Sequence, residues 1–286
     1  MQEKGKVLMA MSGGVDSSVG AYLLQKEGYE VIGATMQLWP DDTPLVSGEV
    51  GCCSLSAIED AKRVAHKLNI PHYVLNYKAL FEKQVIDYFI EEYSLGRTPN
   101  PCMACNRYFR FEALLKKADE LEIDYIATGH YAKILYDQNK KRYLLAKGSD
   151  QNKDQSYFLY GFSQEQLART LLPLGNYTKP KIREVALSLG LSVAEKPESQ
   201  EICFIPDNDY RGFLKNRLGQ PQKKGLFVDK DNNILGEHQG IGNYTIGQRR
   251  GLGIALGFPA YVIDIKREEN KVVLGPKESL NSKGLI

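Results

Sequence analysis

Two short stretches hold residue types that can do chemistry. The first is Ser12-Gly13-Gly14-Val15-Asp16-Ser17-Ser18, a run of small residues around one carboxylate. Small residues let backbone N–H groups converge on an anion, and a helix starting behind them adds partial positive charge. Asp16 can hold a magnesium ion through a carboxylate oxygen, and Ser17 can cap the helix or donate to a phosphate. No GKS or GKT follows the glycines, so this is not a Walker motif. The second stretch is NPCMACNR, residues 100 to 107, with Cys102 and Cys105 in a CxxC pair after an Asn-Pro turn signal. Such a pair serves as a redox couple, half a zinc site or part of an iron–sulfur ligand set.

The elements around these stretches determine what they can reach. Lys6–Met11 reads as a strand closed by the first loop, and Ser17 onward as a helix ending at Gly28. Glu30–Met36 is strand-like. Ser56 with Glu59 makes a capping-box signature, and Ile58, Ala61, Ala65 and Leu68 then share one helical face. Pro71–Leu75 and Asp124–Thr128 are further strands, and Ala79–Leu95 and Arg107–Glu120 are helical. This alternation predicts an α/β fold, a doubly wound parallel sheet with helices on both faces. The loop at Ser12 then lies at the carboxyl edge of the first strand, where open α/β sheets bind ligands. After about residue 205 glycine becomes frequent and short alternating runs appear (LFV, YVIDI, KVVLG), which predicts a small, mostly β second domain. The expected division is 1–205 and 206–286.

The 286 residues include 43% apolar and 25% charged side chains, ordinary for a globular protein. No apolar run is long enough to cross a bilayer, and the first residues lack a secretory signal. Five irregularly spaced cysteines argue against a disulfide framework and for a reducing cytoplasm. A net charge of +2 neither demands nor forbids nucleic acid, so RNA contacts must come from local patches. Lys179, Lys181 and Arg183, Lys223 and Lys224, and Arg249 and Arg250 are candidates. Cys52, Cys53, His66 and His72 read as packing or surface residues, and His238 has no evident partner in the sequence.

MSGGVDSS, GRTPNPCMACNRYFRF, ATGHYA, KDQSYFLY, ICFIP and TIGQRRGLG occur in that order between residue 6 and about residue 280. Together they resemble the tRNA-uridine 2-sulfurtransferases of the PP-loop ATP pyrophosphatases. The resemblance implies thiolation at carbon 2 of the wobble uridine of tRNA, with ATP cleaved to AMP and pyrophosphate as the uridine is adenylated. It implies that Ala10, Met11, Ser12, Gly13, Gly14, Val15, Asp16 and Ser17 cradle ATP and Mg2+, with Met36 beside the adenine and Gly129 on the nucleotide. His130 and Lys153-Asp154-Gln155 would face the tRNA. Asn100, Pro101 and Cys102 would line the pocket for the target base. Cys105 would be the catalytic cysteine and Cys203 its partner. Expected partners are tRNA and a sulfur donor protein or inorganic sulfide, with no membrane and a monomeric chain.

Two departures follow. Cys102 stands where most members of that family carry Asp, and the chain stops at KGLI, where they continue into a third, all-β domain that grips tRNA. Weak tRNA binding by these 286 residues alone is the expectation. The extra thiol leaves two routes for sulfur. In a persulfide relay Cys105 and Cys203 suffice, one carrying sulfur and the other resolving the bond by forming a disulfide. The cofactor expected is a 4Fe–4S cluster on which Cys102, Cys105 and Cys203 converge, with one iron open to hydrosulfide. Competing readings are another PP-loop adenylating enzyme, or a non-enzymatic RNA-binding module with a CxxC metal site.

Overall fold

The apolar runs at the start of the chain form β1 (Lys6–Ala10) and β2 (Glu30–Gln37), joined by helix α1 (Val15–Lys26). Helix α2 (Leu55–Leu68) and strand β3 (His72–Asn76) follow. In this computed structural model residues 4–39, 54–197, 202–205, 207–219, 222–281 and 284 are described, so Cys52 and Cys53 lie outside it. The chain continues through α3 (Lys78–Phe81), a π-helical turn (Glu82–Ile86), α4 (Asp87–Ser94), α5 (Pro101–Cys105), a second π-helical stretch (Asn106–Ala113), α6 (Leu114–Glu120) and β4 (Tyr125–Ala127). Next come β5 (Ala132–Asp137), β6 (Arg142–Lys147), α7 (Gln164–Ala168), the two-residue β7 (Thr170–Leu171) and α8 (Lys179–Ser188).

The five strands β3-β2-β1-β4-β7 form one sheet in that order, every pair parallel. This is the doubly wound sheet expected from the alternation. Val7, Met9, Val19, Val31, Ala61, Ala127, Ile182 and Ala186 belong to a buried cluster where helices pack on the sheet. Strand order reverses at β1, whose neighbours are β2 on one side and β4 on the other. The loops after β1 and β4 therefore flank a crevice at the carboxyl edge, the usual ligand position in such sheets.

Local details depart from the sequence reading. The cap of α2 is Ser54, not Ser56: Ser54 is the last extended residue and its Oγ accepts from the Ala57 amide at 3.1 Å. Both expected long helices are interrupted by π turns, and the CxxC pair lies within α5 rather than after a turn. The stretch between residues 131 and 205 contains the hairpin β5–β6. Its outer edge at Tyr143 is covered by the side-chain amide of Gln164, which accepts from the Tyr143 N–H and donates to its C=O.

The chain divides into two units, but not at a single cut near 205. Unit 1 comprises Met1–Val85 and Pro101–Asn208; unit 2 comprises Ile86–Asn100 and Asp209–Ile286. Unit 2 takes α4 as well as α9 (Tyr210–Leu218), because Phe89 packs on Phe213 (6.0 Å between ring centroids) and Tyr93 stacks on Tyr210 (5.0 Å). Its four-stranded sheet, β10-β11-β8-β9, is built from β8 (Gly225–Val228), β9 (Ile234–His238), β10 (Tyr261–Lys266) and β11 (Lys271–Gly275). The mostly β character is as expected. His238, however, is a core residue: it is 1% exposed, accepts from the Gly240 amide at Nδ1 and donates from Nε2 to the Asn270 carbonyl.

Candidate functional site

The loop after β1 is a run of small residues around Asp16, with Ser17 buried. Gly14, the N-cap of α1, is extended, and no side chain caps the helix. The first turn thus presents amides whose intrahelical partners do not exist. Ser17 Oγ accepts from the Ser12 amide at 3.1 Å and donates to the Gly14 carbonyl at 3.2 Å, holding the loop closed on itself. Gly13 has φ +67°, and a Cβ there would lie 2.1 Å from the Ala57 carbonyl oxygen, so α2 presses directly on the loop. The Met11 amide donates to Ala34 in β2, two residues before the buried Met36. Ala10, Met11 and Val15 are buried, so they fix the loop's ends from within the core.

Asp16 does not stand alone. Lys179 Nζ, at the start of α8, donates to both carboxylate oxygens at 2.8 Å, and the Tyr131 hydroxyl donates to Oδ1 at 2.7 Å. The Lys179 side chain is 9% exposed and that of Asp16 32%. Both partners are themselves fixed. The Lys179 amide donates to Asp150 Oδ2 at 2.8 Å, and the backbone of Tyr131 is held on both sides by Gln155, side chain and amide. On the other flank Lys196 donates to the Gly13 carbonyl and to Asp60. Burial pushes the Asp60 carboxyl up, but hydrogen bonds from Lys196 and Arg63 outweigh this and hold it below the ordinary carboxylate value.

The sequence groups Lys179 with Lys181 and Arg183 as candidate RNA contacts. The three side chains point to different tasks: Lys181 pairs with Glu184 and Arg183 donates to the Ala194 carbonyl. The signal that could have found Lys179 is weak, since 163 residues separate it from Asp16.

The turn after β4 closes the crevice from the second side. A Cβ on Gly129 would lie 2.8 Å from the Ser17 nitrogen, so only glycine lets this turn lie against the first turn of α1. His130 next to it is 5% exposed. Arg110 can only donate, so the imidazole accepts at Nε2 and donates from Nδ1 to Thr128 Oγ1 at 2.8 Å. Burial, with the Arg110 charge beside it, pushes its pKa down to about 3. This histidine is a neutral, covered group, and Arg110 is the cation at its outer nitrogen.

Lys153-Asp154-Gln155 spends most of its polar groups internally. Asp154 accepts from the Gly148 and Ser156 amides and the Ser156 hydroxyl, while Gln155 clamps Tyr131. Lys153 is half-buried and Asn100 exposed; Pro101 is buried.

Cys102 and Cys105 lie one helical turn apart on α5, Cys102 exposed and Cys105 partly covered. Asn106, the first residue of the following π stretch, is 5% exposed and donates to the Phe158 carbonyl at 3.3 Å. Cys203 is partly covered in a turn whose next residue, Phe204, packs on Phe81 at 5.8 Å between ring centroids. Phe81 in turn packs on Phe109 of the π stretch at 5.7 Å. An aromatic bridge thus joins the segment carrying Cys203 to the one continuing from Cys105. Among the described residues no three His, Cys, Asp or Glu side chains are grouped as metal ligands would be. The three-thiolate cluster expected from the sequence is therefore without support from this arrangement.

Among the described residues no helix is long and apolar enough to cross a membrane. Residues 5–207 match the family model described as the tRNA methyl transferase HUP domain, and residues 211–276 the one described as the tRNA methyl transferase PRC-barrel domain. A tRNA-specific 2-thiouridylase from Acetivibrio thermocellus is 60% identical over 285 residues, which is 99% of this chain and 79% of that protein. The one from Carboxydothermus hydrogenoformans is 59% identical over 282 residues, 98% and 77% of the two chains. Among solved structures, a 4-thiouridine synthetase–RNA complex with bound ATP aligns over 75% of this chain and 50% of that one, with a TM-score of 0.47 and 18% identity, too loose to bear on function. With more than half its length matched by the family model and relatives this similar over nearly all of it, the chain belongs to the tRNA-specific 2-thiouridylase family.

Proposed function

We propose that this chain replaces the carbon-2 oxygen of the wobble uridine of tRNA by sulfur, using ATP. One observation carries the reading: helix α1 begins without a side-chain cap behind a loop of small residues, at the sheet's switch point, with Gly129 closing over it. That is an acceptor for a polyphosphate. Methyl transfer, named in the descriptions of the family models, has no use for one.

A uridine carbonyl oxygen is a poor leaving group. Attack of that oxygen on the α-phosphorus of ATP forms the adenylate and expels pyrophosphate, whose charge the loop amides stabilise. Asp16 accepts three hydrogen bonds. A carboxylate offers about four lone-pair directions, so one remains for Mg2+, which when bound would neutralise the leaving pyrophosphate.

Sulfur then attacks carbon 2 and AMP departs with the oxygen. The aromatic bridge between the segment carrying Cys203 and the one continuing from Cys105 supports the persulfide relay. In it the outer sulfur of a persulfide on one of Cys105 and Cys203 bonds to carbon 2. The thiolate of the other attacks the inner sulfur, leaving a disulfide and the thiolated base, and an external thiol then reduces the disulfide. A cluster held by Cys102, Cys105 and Cys203 would need the three thiolates grouped as ligands, and no such group occurs among the described residues.

The test is pyrophosphate release from ATP on adding unmodified tRNA, followed by mass spectrometry of the wobble nucleoside. Release with 2-thiouridine formed from a persulfide donor, in the parent and in Cys102→Asp, is the expected result. Iron-dependent thiolation from sulfide, lost in Cys102→Asp, would establish the cluster instead. Methyl transfer without pyrophosphate would overturn the whole reading.

A further inference from the structure

The pair Asp16–Lys179 poses an electrostatic question that the polyphosphate reading sharpens. Asp16 sits in the first turn of α1, inside the loop whose amides face the crevice. A bare carboxylate there opposes an incoming triphosphate, because like charges at a few ångströms repel strongly where water is partly excluded. Lys179 meets that carboxylate with its ammonium on both oxygens, from a side chain that is 9% exposed. Its placement is imposed from both ends, by Asp150 on the backbone amide and by Asp16 on Nζ. The Tyr131 hydroxyl, on the same carboxylate, supplies a further donor but no charge.

We propose that Lys179 is a positioning residue for the ATP site: it cancels and orients the Asp16 carboxylate, so that the loop presents its amides to the phosphates without a net negative charge. The role acts through Asp16 and rests on the reading of the loop as an ATP site. It differs from the role of a surface cation, which would be solvated, and from that of a phosphate ligand, which would act whether or not Asp16 were charged.

ATP binding in EDTA buffer, without magnesium or tRNA, measured by calorimetry, tests this in four chains: parent, Lys179→Met, Lys179→Arg and the double variant Asp16→Asn/Lys179→Met. Lys179→Met is expected to raise the Kd for ATP about 30-fold, the order expected of one uncompensated unit charge near a partly exposed site. Lys179→Arg, which keeps the charge, stays near the parent. In the double variant neither charge is present, so affinity returns to within about threefold of the parent, a coupling that only contacting residues show. Thermal melts establish that each variant is folded. Parent affinity in Lys179→Met would overturn the proposal. So would a double variant as weak as the single one, since Lys179 would then contact phosphate directly. Should Lys179→Met not fold, the double variant and Lys179→Arg still decide it. A parent that fails to bind ATP would instead sink the reading of the loop.

Discussion

The ammonium of Lys179 lies 2.8 Å from each carboxylate oxygen of Asp16, although 163 residues of chain separate them. The loop at Ser12 is therefore not an appendage of one strand–helix unit; its only carboxylate is clamped from the far end of unit 1.

The first prediction concerns Asp16→Ala. Read from sequence alone, a loop residue that serves a ligand could be removed with little loss of stability. The structure predicts otherwise, because the substitution leaves a nearly buried ammonium without its carboxylate. Formation of AMP in the presence of tRNA should vanish, and stability should fall by about 1–3 kcal/mol, the cost of stranding a partly buried charged group. Urea unfolding alongside an AMP assay checks both. An unchanged midpoint would show that Lys179 does not depend on Asp16.

Gly129→Ala isolates a steric effect. The added methyl would lie 2.8 Å from the Ser17 nitrogen and 3.2 Å from Asp16 Cβ, so the turn must back away from the loop. ATP affinity should drop by about tenfold or more, as expected when one contact among preorganised donors is lost. Gly161→Ala, whose methyl would meet nothing within 4 Å, is the matched control and should bind as the parent does.

Histidine sets the acid limit. Burial lowers the pKa of His72, His130 and His238, that of His130 to about 3. The unfolded chain takes up protons below about pH 6.5 while folded His130 stays neutral. Its share of stability is thus complete above about pH 6.5 and is lost progressively as the pH falls towards 3. His130→Gln should flatten the fall of the urea midpoint on acidification. An equally steep fall in that variant would show that other groups govern it.

Under the proposed persulfide relay the thiols separate the two half-reactions. Cys203→Ser should still release pyrophosphate with tRNA, since the ATP loop is untouched, yet form no 2-thiouridine. Loss of both activities would place Cys203 in the adenylation step.

Fold and site were unequally legible. The parallel sheet followed from apolar runs alternating with amphipathic stretches, and the loop at Ser12 from its small residues and its place behind the first strand. What escaped was set by distant partners. Lys179 sat among basic neighbours that suggested a solvated face, and nothing local marks it as the partner of Asp16. His130 was read as facing RNA, but its solvent access is closed by Phe111 and the Arg110 arm, which arrive from another helix. His238 lacked a visible partner because its acceptor, the Asn270 carbonyl, is 32 residues away. Ser54 won the cap over Ser56 because Leu55 already has helical backbone, a matter of one residue that composition does not decide.

The path of the chain between the units has a consequence for how this protein can be cut or inherited. Phe89 is fully buried and Tyr93 is 7% exposed, against rings of α9 that lie more than a hundred residues later. A truncation after Asn208 would strip those partners away and leave an aromatic helix face in water. Exchange of the second unit between relatives must likewise carry residues 86–100 with it, and that segment runs straight into Cys102 and Cys105. The sulfur-bearing helix is thus spliced to the crossover, and the two units are inherited as an interleaved pair rather than as interchangeable cassettes.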